Sequence, residues 1–335
     1  TIYDPCCGSG GMFVQSMKFV QSHHGNTKEI AVYGQEATST TMKLAKMNLA
    51  IRGISGDLGE IAVSTFTNDQ HKDRKFDYIM ANPPFNQKAW REENELTDDP
   101  RWDGYAVPPT SNANYGWILH MVYHLSQNGV AGFLLANGAL SGDGTELTIR
   151  QQLIENDLVE AIIILPRNLF YTTDISVTLW IINKNKKART VTQNGVLKKY
   201  RDRTGEILFM DLRQMGSPYE KKYVELTDED RAKVAATYHT WQTSLDDYED
   251  IPEYCFSAHL EDTEVNGETV KGIRSKGFSL VPSKYIKFIN RDEDVDYDTK
   301  MKQLQEELTD LLKQEEQSKA ELLKVFKELG YEIKL

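Results

Sequence analysis

"TIYDPCCGSGGMFVQSMKFV", residues 1–20, is the stretch whose reading decides the fold. A short strand over 1–3 runs into a turn holding Gly8, Gly10 and Gly11, and a helical pattern follows over 11–22. Glycines permit positive φ and let a ligand approach the backbone closely. The helix N terminus behind them favours a polar or anionic group. The turn lacks the Gly-Lys-Ser/Thr of a phosphate-binding loop and the spacing of the dinucleotide fingerprint. Alone, it fits either a tight surface turn or a ligand cradle.

The rest of the first 185 residues extends the pattern. Further strands are predicted over 30–34, 61–66, 76–81, 130–135, 159–165 and 176–183, and helices over 39–52, 114–127 and 145–156. Strands alternating with helices predict βαβ units and a largely parallel sheet. In such sheets ligands sit at the carboxyl ends of the strands. Two further features fall there. "VYGQE" places Glu36 just past the second strand, where doubly wound folds bind ribose hydroxyls. "FDYIMANPPFN", residues 76–86, runs off a strand into Asn82, Pro83, Pro84 and Phe85. The prolines stiffen the backbone and remove competing N–H donors. The Asn82 side-chain oxygen and a backbone carbonyl can then accept both hydrogens of one planar amino group, which leaves electron density on its nitrogen. Phe85 offers a ring face to a flat heterocycle. A base handled this way must leave its duplex.

Composition sets limits on the rest. The 335 residues are 40% hydrophobic and 27% charged, with a formal net charge of −11. So acidic a chain is a poor autonomous binder of the phosphate backbone. Three cysteines form neither a disulfide framework nor a zinc spacing, which fits a reducing, cytoplasmic setting. His120 and His124 stand i, i+4 on a helix with no third ligand evident, and are expected to be structural. The connection over 86–113 is long and carries Trp90, Trp102 and Tyr105, so it is expected to be ordered and functional. Between 184 and 203 lie Lys184, Lys186, Lys187, Arg189, Lys198, Lys199, Arg201 and Arg203, a basic hairpin that is either a solvated loop or a nucleic-acid contact. Thr227 is the expected N-cap of a helix. Over about 298–329, Met301, Leu304, Leu308, Leu311, Leu322, Val325 and Leu329 share one helical seam, which either folds back on its own domain or, as its length favours, meets another subunit.

These features in this order resemble an S-adenosylmethionine-dependent amino-methyltransferase. Longer stretches, "YGQEATSTTMKLAKMNLAIRGI", "DPRWDGYAVPPTSNANYGWILHMVYHL", "ENDLVEAIIILPRNLFYTTDISVTLWIINKNK" and "GEILFMDLR", are similar to the modification subunit of type I restriction-modification systems. The resemblance implies DNA adenine N6-methylation on an α/β, Rossmann-like sheet of seven strands with a final antiparallel strand. It implies a catalytic domain over 1–215, and a mostly helical region over 216–335 whose helix at about 298–329 meets a specificity subunit. It also implies a helical N-terminal domain, absent from this chain. The partners it implies are DNA, a second modification subunit, a specificity subunit and a motor-nuclease (restriction) subunit. For S-adenosylmethionine, Gly8, Ser9, Gly10 and Gly11 would line the methionine end, with Asp4 near its amino group and Glu36 on the ribose. Asn82 and the Pro83 carbonyl, stiffened by Pro84, would grip adenine N6, and Phe85 would stack on the base. No metal is required. The acid that the family sets after its third strand for the cofactor's adenine finds Ser64 and Thr65 in this chain, with Asp69 nearest; Phe170 and Tyr171 are further candidates for the target pocket. Two alternatives stay open: an amino-methyltransferase of protein glutamine or RNA, and a catalytically incomplete scaffold.

Overall fold

The structure, a computed structural model, describes residues 1–171, 174–193, 196–220, 222–265, 267–289 and 297–328. Its strands are β1 (Ile2–Asp4), β2 (Val32–Gly34), β3 (Gly56–Asp57), β4 (Phe76–Ala81), β5 (Leu125–Ala136), β6 (Val159–Ile164), β7 (Val177–Asn183), β8 (Arg189–Gln193), β9 (Val196–Tyr200), β10 (Glu206–Asp211), β11 (Ser217–Tyr219), β12 (Tyr223–Glu225), β13 (Cys255–His259), β14 (Thr263–Val265) and β15 (Glu268–Val270). Nine of them form one sheet among the described residues, in the order β13-β10-β6-β7-β5-β4-β1-β2-β3. The helices are α1 (Gly11–Ser22), α2 (Ser39–Ile51), α3 (Asn114–His124), α4 (Thr145–Glu155), α5 (Asp228–Thr243) and α6 (Tyr297–Glu328).

The chain winds outward from β1 in two directions. β1 to β3 step to one edge through α1 and α2; β4 then returns to the other side of β1, and β5 follows it. β6 leaves a gap one strand wide, and β7 fills it antiparallel to both neighbours, Ala131 opposite Ile182 on one side and Ile162 opposite Trp180 on the other. β10 joins β6 in parallel, and β13 closes that edge antiparallel. The expected seven-strand arrangement is therefore present and is extended by two strands.

One face of the sheet buries Tyr3, Ile79, Phe133, Trp180 and Phe209 against Ile118 and Met121 of α3 and Ile149 and Leu153 of α4. On the other face, Ile2 and Val32 pack under Phe13 and Met17 of α1 and Met42 and Leu49 of α2. Farther along the same face, Ile163, Leu208 and Met210 pack against Trp241 of α5.

Three expectations change. The segment 61–66 is not a strand; the third strand is Gly56–Asp57. The apolar and β-branched run after it peels away because its polar groups find partners at loop ends instead of in a ladder. The Val63 N–H donates to the Glu36 carbonyl, and the Thr65 hydroxyl donates to the Pro5 carbonyl at 2.5 Å. Second, the compact unit runs over Thr1–Lys287, with Phe288–Leu335 as another, so the boundary expected near 215 falls inside the first. Third, the stretch after 216 is not mostly helical before α6, since it carries β11, β12 and β13 around α5. Thr227 does cap α5, in a reciprocal box with Asp230.

α6 is one continuous helix, and its Leu304, Leu308, Leu311 and Leu322 side chains are exposed. Leu329 of the predicted seam lies outside the described residues. No helix among the described residues is long and apolar enough to cross a membrane.

Candidate active site

The glycine turn and the Asn-Pro-Pro-Phe tip leave neighbouring parallel strands at the same edge. β1 pairs with β4 with Tyr3 opposite Ile79, and with β2 with Asp4 opposite Gly34. Asp4 thus stands one strand spacing, roughly 4.8 Å, from β4 at a level two residues before Asn82. Glu36 lies two residues past Gly34. The crevice opens where winding reverses between β1 and β4, the place at which such sheets bind ligands.

The turn has the form of a cradle. Gly8 (φ 53°) and Gly10 (φ 75°) are left-handed, a conformation costly for any residue with a Cβ. A Cβ at Gly8 or Gly11 would meet nothing within 4 Å, so the space over them is open. Gly10 begins α1 with no side-chain cap, leaving first-turn N–H groups free to meet a ligand. Gly34, by contrast, is a packing glycine, since a Cβ there would lie 2.9 Å from the Phe13 ring.

Two carboxylates hold the turn. Glu36 accepts from the Gly8 N–H at 3.1 Å with one oxygen and from the Thr38 N–H at 2.9 Å with the other. Each oxygen keeps a lone pair for a diol. Asp4 is buried and accepts the Cys6 N–H at 3.0 Å. Burial pushes its carboxyl up to about 7, against that hydrogen bond and with help from the charge of Glu36. Burial likewise pushes the Cys6 thiol up, so it stays neutral.

At the other lip, Asn82 is exposed, and its amide makes no hydrogen bond among the described residues. Pro83 is buried and Pro84 exposed. Phe85 is half-buried in the cluster that includes Leu169 and Phe170. The side chains of Asn82 and Phe85 therefore differ in freedom: the amide can turn toward a ligand, while the ring is already braced.

Sequence reasoning missed the residues that join these parts. Gln35, fully buried, donates from its amide to the carbonyls of Val63 and Asn68 and accepts the Gln70 N–H. His71 bonds the Gly34 carbonyl. Arg101, buried, pairs with Asp99 at 2.7 Å and donates to the carbonyls of Thr65 and Phe66. The loop over 58–73 and the long insert are thereby tied to the glycine turn, whose Cys7 N–H donates to the Gln35 carbonyl at 2.9 Å. With β3 at Gly56–Asp57, the acid at the end of the third strand is Asp57, which accepts the Gly59 N–H at 3.0 Å. Asp69 is engaged elsewhere, bonded to His124 at 2.8 Å. Burial works to raise its carboxyl, but His124's hydrogen bond and charge outweigh that and hold it low.

The candidate ligand atoms of His120, His124 and Asp69 gather within 4.8 Å of one another, Asp69 being a third group that the sequence reading did not foresee. Each ring nitrogen already has a partner, His120 with Tyr3 and Arg101, His124 with Asp69 and the Arg74 carbonyl. The Arg101 guanidinium, 3.3 Å from His120, would repel a cation. These groups knit the core beneath the insert.

The basic segment is sorted by the structure. Lys186 pairs with Asp157 at 2.6 Å, Arg201 with Glu206 at 2.7 Å and Arg203 with Glu160 at 3.0 Å, the last pair fully buried. They secure β6 and β10. The remaining bases sit on or beside the β8–β9 hairpin, which β7 leads away from the carboxyl end of β4: Asn183, the last residue of β7, lies level with Val130, which pairs with Tyr78 in the first half of β4. Asn82 is at the opposite end of β4.

Residues 1–309 match the family model described as N-6 DNA Methylase. The type I restriction enzyme HindI methylase subunit of Haemophilus influenzae is 43% identical over 333 residues, covering 99% of this chain and 69% of that protein. The MjaIX methylase subunit of Methanocaldococcus jannaschii is 34% identical over 335 residues, covering 99% and 56%. Among solved structures, the type I restriction-modification system methyltransferase subunit from Streptococcus thermophilus superposes with a TM-score of 0.69 at 26% identity, over 85% of this chain and 54% of that one. The chain thus spans about half to two thirds of the relatives it matches.

Proposed function

Since the chain belongs to the N-6 DNA methylase family, whose model it matches over 1–309, we propose that it is the catalytic part of a type I modification subunit, methylating adenine N6 in DNA from S-adenosylmethionine. The observation that carries this reading is the pairing of an open, uncapped glycine cradle with an unengaged Asn82 amide across adjacent parallel strands.

The residues fit the cofactor's chemistry. Gly8, Ser9, Gly10 and Gly11 would line its methionine end, with open space over Gly8 and Gly11, Asp4 would pair with its ammonium, and Glu36 would offer lone pairs to the ribose hydroxyls. When bound, the sulfonium supplies an electrophilic methyl group. Asn82 and the Pro83 carbonyl accept the two hydrogens of N6, keeping its lone pair directed at that methyl, and Phe85 stacks on the flipped base. In-line placement is where the rate comes from.

The net charge of −11 leaves the DNA to be held by a partner. The reading therefore includes a specificity subunit, a second copy of this subunit and a motor-nuclease subunit that can join, working in the cytoplasm where the DNA is. Asp57 takes the place of the acid at the cofactor's adenine.

The test is mass spectrometry of DNA incubated with the reconstituted complex, wild type against Asn82→Ala. N6-methyladenine should appear with wild type and vanish with the variant while the complex still assembles. Methylation retained by Asn82→Ala refutes the role of that amide. Methyl transfer to glutamine peptides or RNA in place of DNA redirects the reading to another acceptor.

A further inference from the structure

The residue that follows the catalytic tip is held in an uncommon conformation, and one buried side chain holds it there. Asn86 has φ 52°, in the left-handed region, which asparagine enters more readily than most residues with a Cβ. Its backbone N–H donates to Asn114 Oδ1 at 3.1 Å, and its own Oδ1 accepts from Asn114 Nδ2 at 2.9 Å. Asn112 adds a second donor to the same oxygen at 3.2 Å and accepts the Asn114 N–H at 2.9 Å. The Ala113 N–H closes the ring on the Gln87 carbonyl at 2.9 Å. The insert over 87–113 thus leaves and re-enters the fold at one clasp.

Asn114 is 1% exposed and opens α3, where every residue except Tyr123 is buried. α3 is therefore as fixed as any element in the molecule. The clasp passes that rigidity to Asn86, directly behind Phe85. The tip is then restrained at both ends, by β4 before it and by α3 behind it. Without the Asn114 side chain the Asn86 N–H loses its acceptor, and only the Asn112 amide and the Ala113–Gln87 backbone bond are left to hold the turn.

We propose that Asn114 is a positioning residue for methyl transfer, acting through Asn86 on the Asn82–Phe85 tip. The inference rests on the role given to that tip above. Displacements of about 1 Å from groups remote from the chemistry can cost on the order of a hundredfold in rate.

The experiment uses the full chain in its reconstituted complex, as wild type, Asn82→Ala, Asn114→Ala and Asn114→Asp. Asn114→Asp keeps size, keeps an acceptor for the Asn86 N–H and suits a helix N terminus, but cannot donate to Asn86. Three quantities are read: the single-turnover rate at saturating S-adenosylmethionine and DNA, the cofactor Kd by calorimetry, and the thermal midpoint. The expected result is a rate about 10- to 100-fold lower in both Asn114 variants, with cofactor Kd within about twofold of wild type. Should Asn114→Ala fail to fold, Asn114→Asp decides. An unchanged rate, or a lower rate matched by an equal loss of cofactor affinity and thermal stability, overturns the inference. A wild type without methylation overturns the parent reading and this one with it; an active wild type with unaffected Asn114 variants overturns the clasp alone.

Discussion

Asp4 shows how one residue can tie pH to binding. Its carboxyl is buried beside the glycine turn and titrates at about 7. In the unfolded chain it titrates near 3.8. Between these values the folded state holds a proton that the unfolded state lacks, so this group makes the protein less stable as pH rises toward 7, and its effect levels off above. For the cofactor placement proposed above the sign is opposite: an ammonium beside Asp4 would favour the carboxylate, so binding would expel the proton. Affinity should rise through pH 6 to 7 and level off until the ligand's own amine deprotonates at about 8. Calorimetry at pH 6 in two buffers of different ionisation heat should detect proton release on binding. Asp4→Asn should abolish that release; persistence of it would place the titrating group elsewhere. Asp4 and Glu36 could be picked out in the sequence because each sits at a fixed offset from a strand end. The burial that shifts Asp4 depends on what packs over it, which no local pattern records.

At the scale of elements, the basic hairpin separates two roles that one run of Lys and Arg had merged. Arg203 and Glu160 are both fully buried and bonded at 3.0 Å. Arg203→Ala leaves Glu160 as an uncompensated buried charge and should cost about 3–5 kcal/mol of stability. Lys199→Ala, on the exposed hairpin, should stay within about 0.5 kcal/mol. Denaturant unfolding of the two variants checks the contrast, and equal losses would sink it. The long strands were predicted within a residue or two because their apolar runs are bounded by turns; β5 alone extends farther, back to Leu125. β3 was misplaced because it spans only two exposed residues, too few to carry a period, while the neighbouring 61–66 has the composition of a strand and the partners of a loop. The direction of β7 decides where the hairpin goes, and an antiparallel insertion leaves no mark in the hairpin's own residues.

For the whole molecule, the compact unit Thr1–Lys287 carries the sheet, both lips of the crevice and the insert. α6 belongs to the other unit and exposes a leucine seam of the kind that packs against a partner helix. Removing residues 288–335 should leave the thermal midpoint of the first unit within about 2 °C of the full chain and abolish assembly with the specificity subunit. Calorimetric scanning and analytical ultracentrifugation read the two effects, and a large fall in the midpoint would show that the first unit depends on α6. What the residues determined by themselves is the chemistry and its order along the chain: a glycine turn, an acid after the second strand, and a proline-stiffened amide after the fourth. These are local, set by φ, by missing donors and by offsets of a few residues. Only the tertiary structure decided that Asn82 and Asp4 share one edge while the basic hairpin lies at the other, that Asp57 ends the third strand, and that Asn114 holds Asn86. Those facts depend on contacts between residues far apart in sequence, where strand order and burial, not composition, choose the partner.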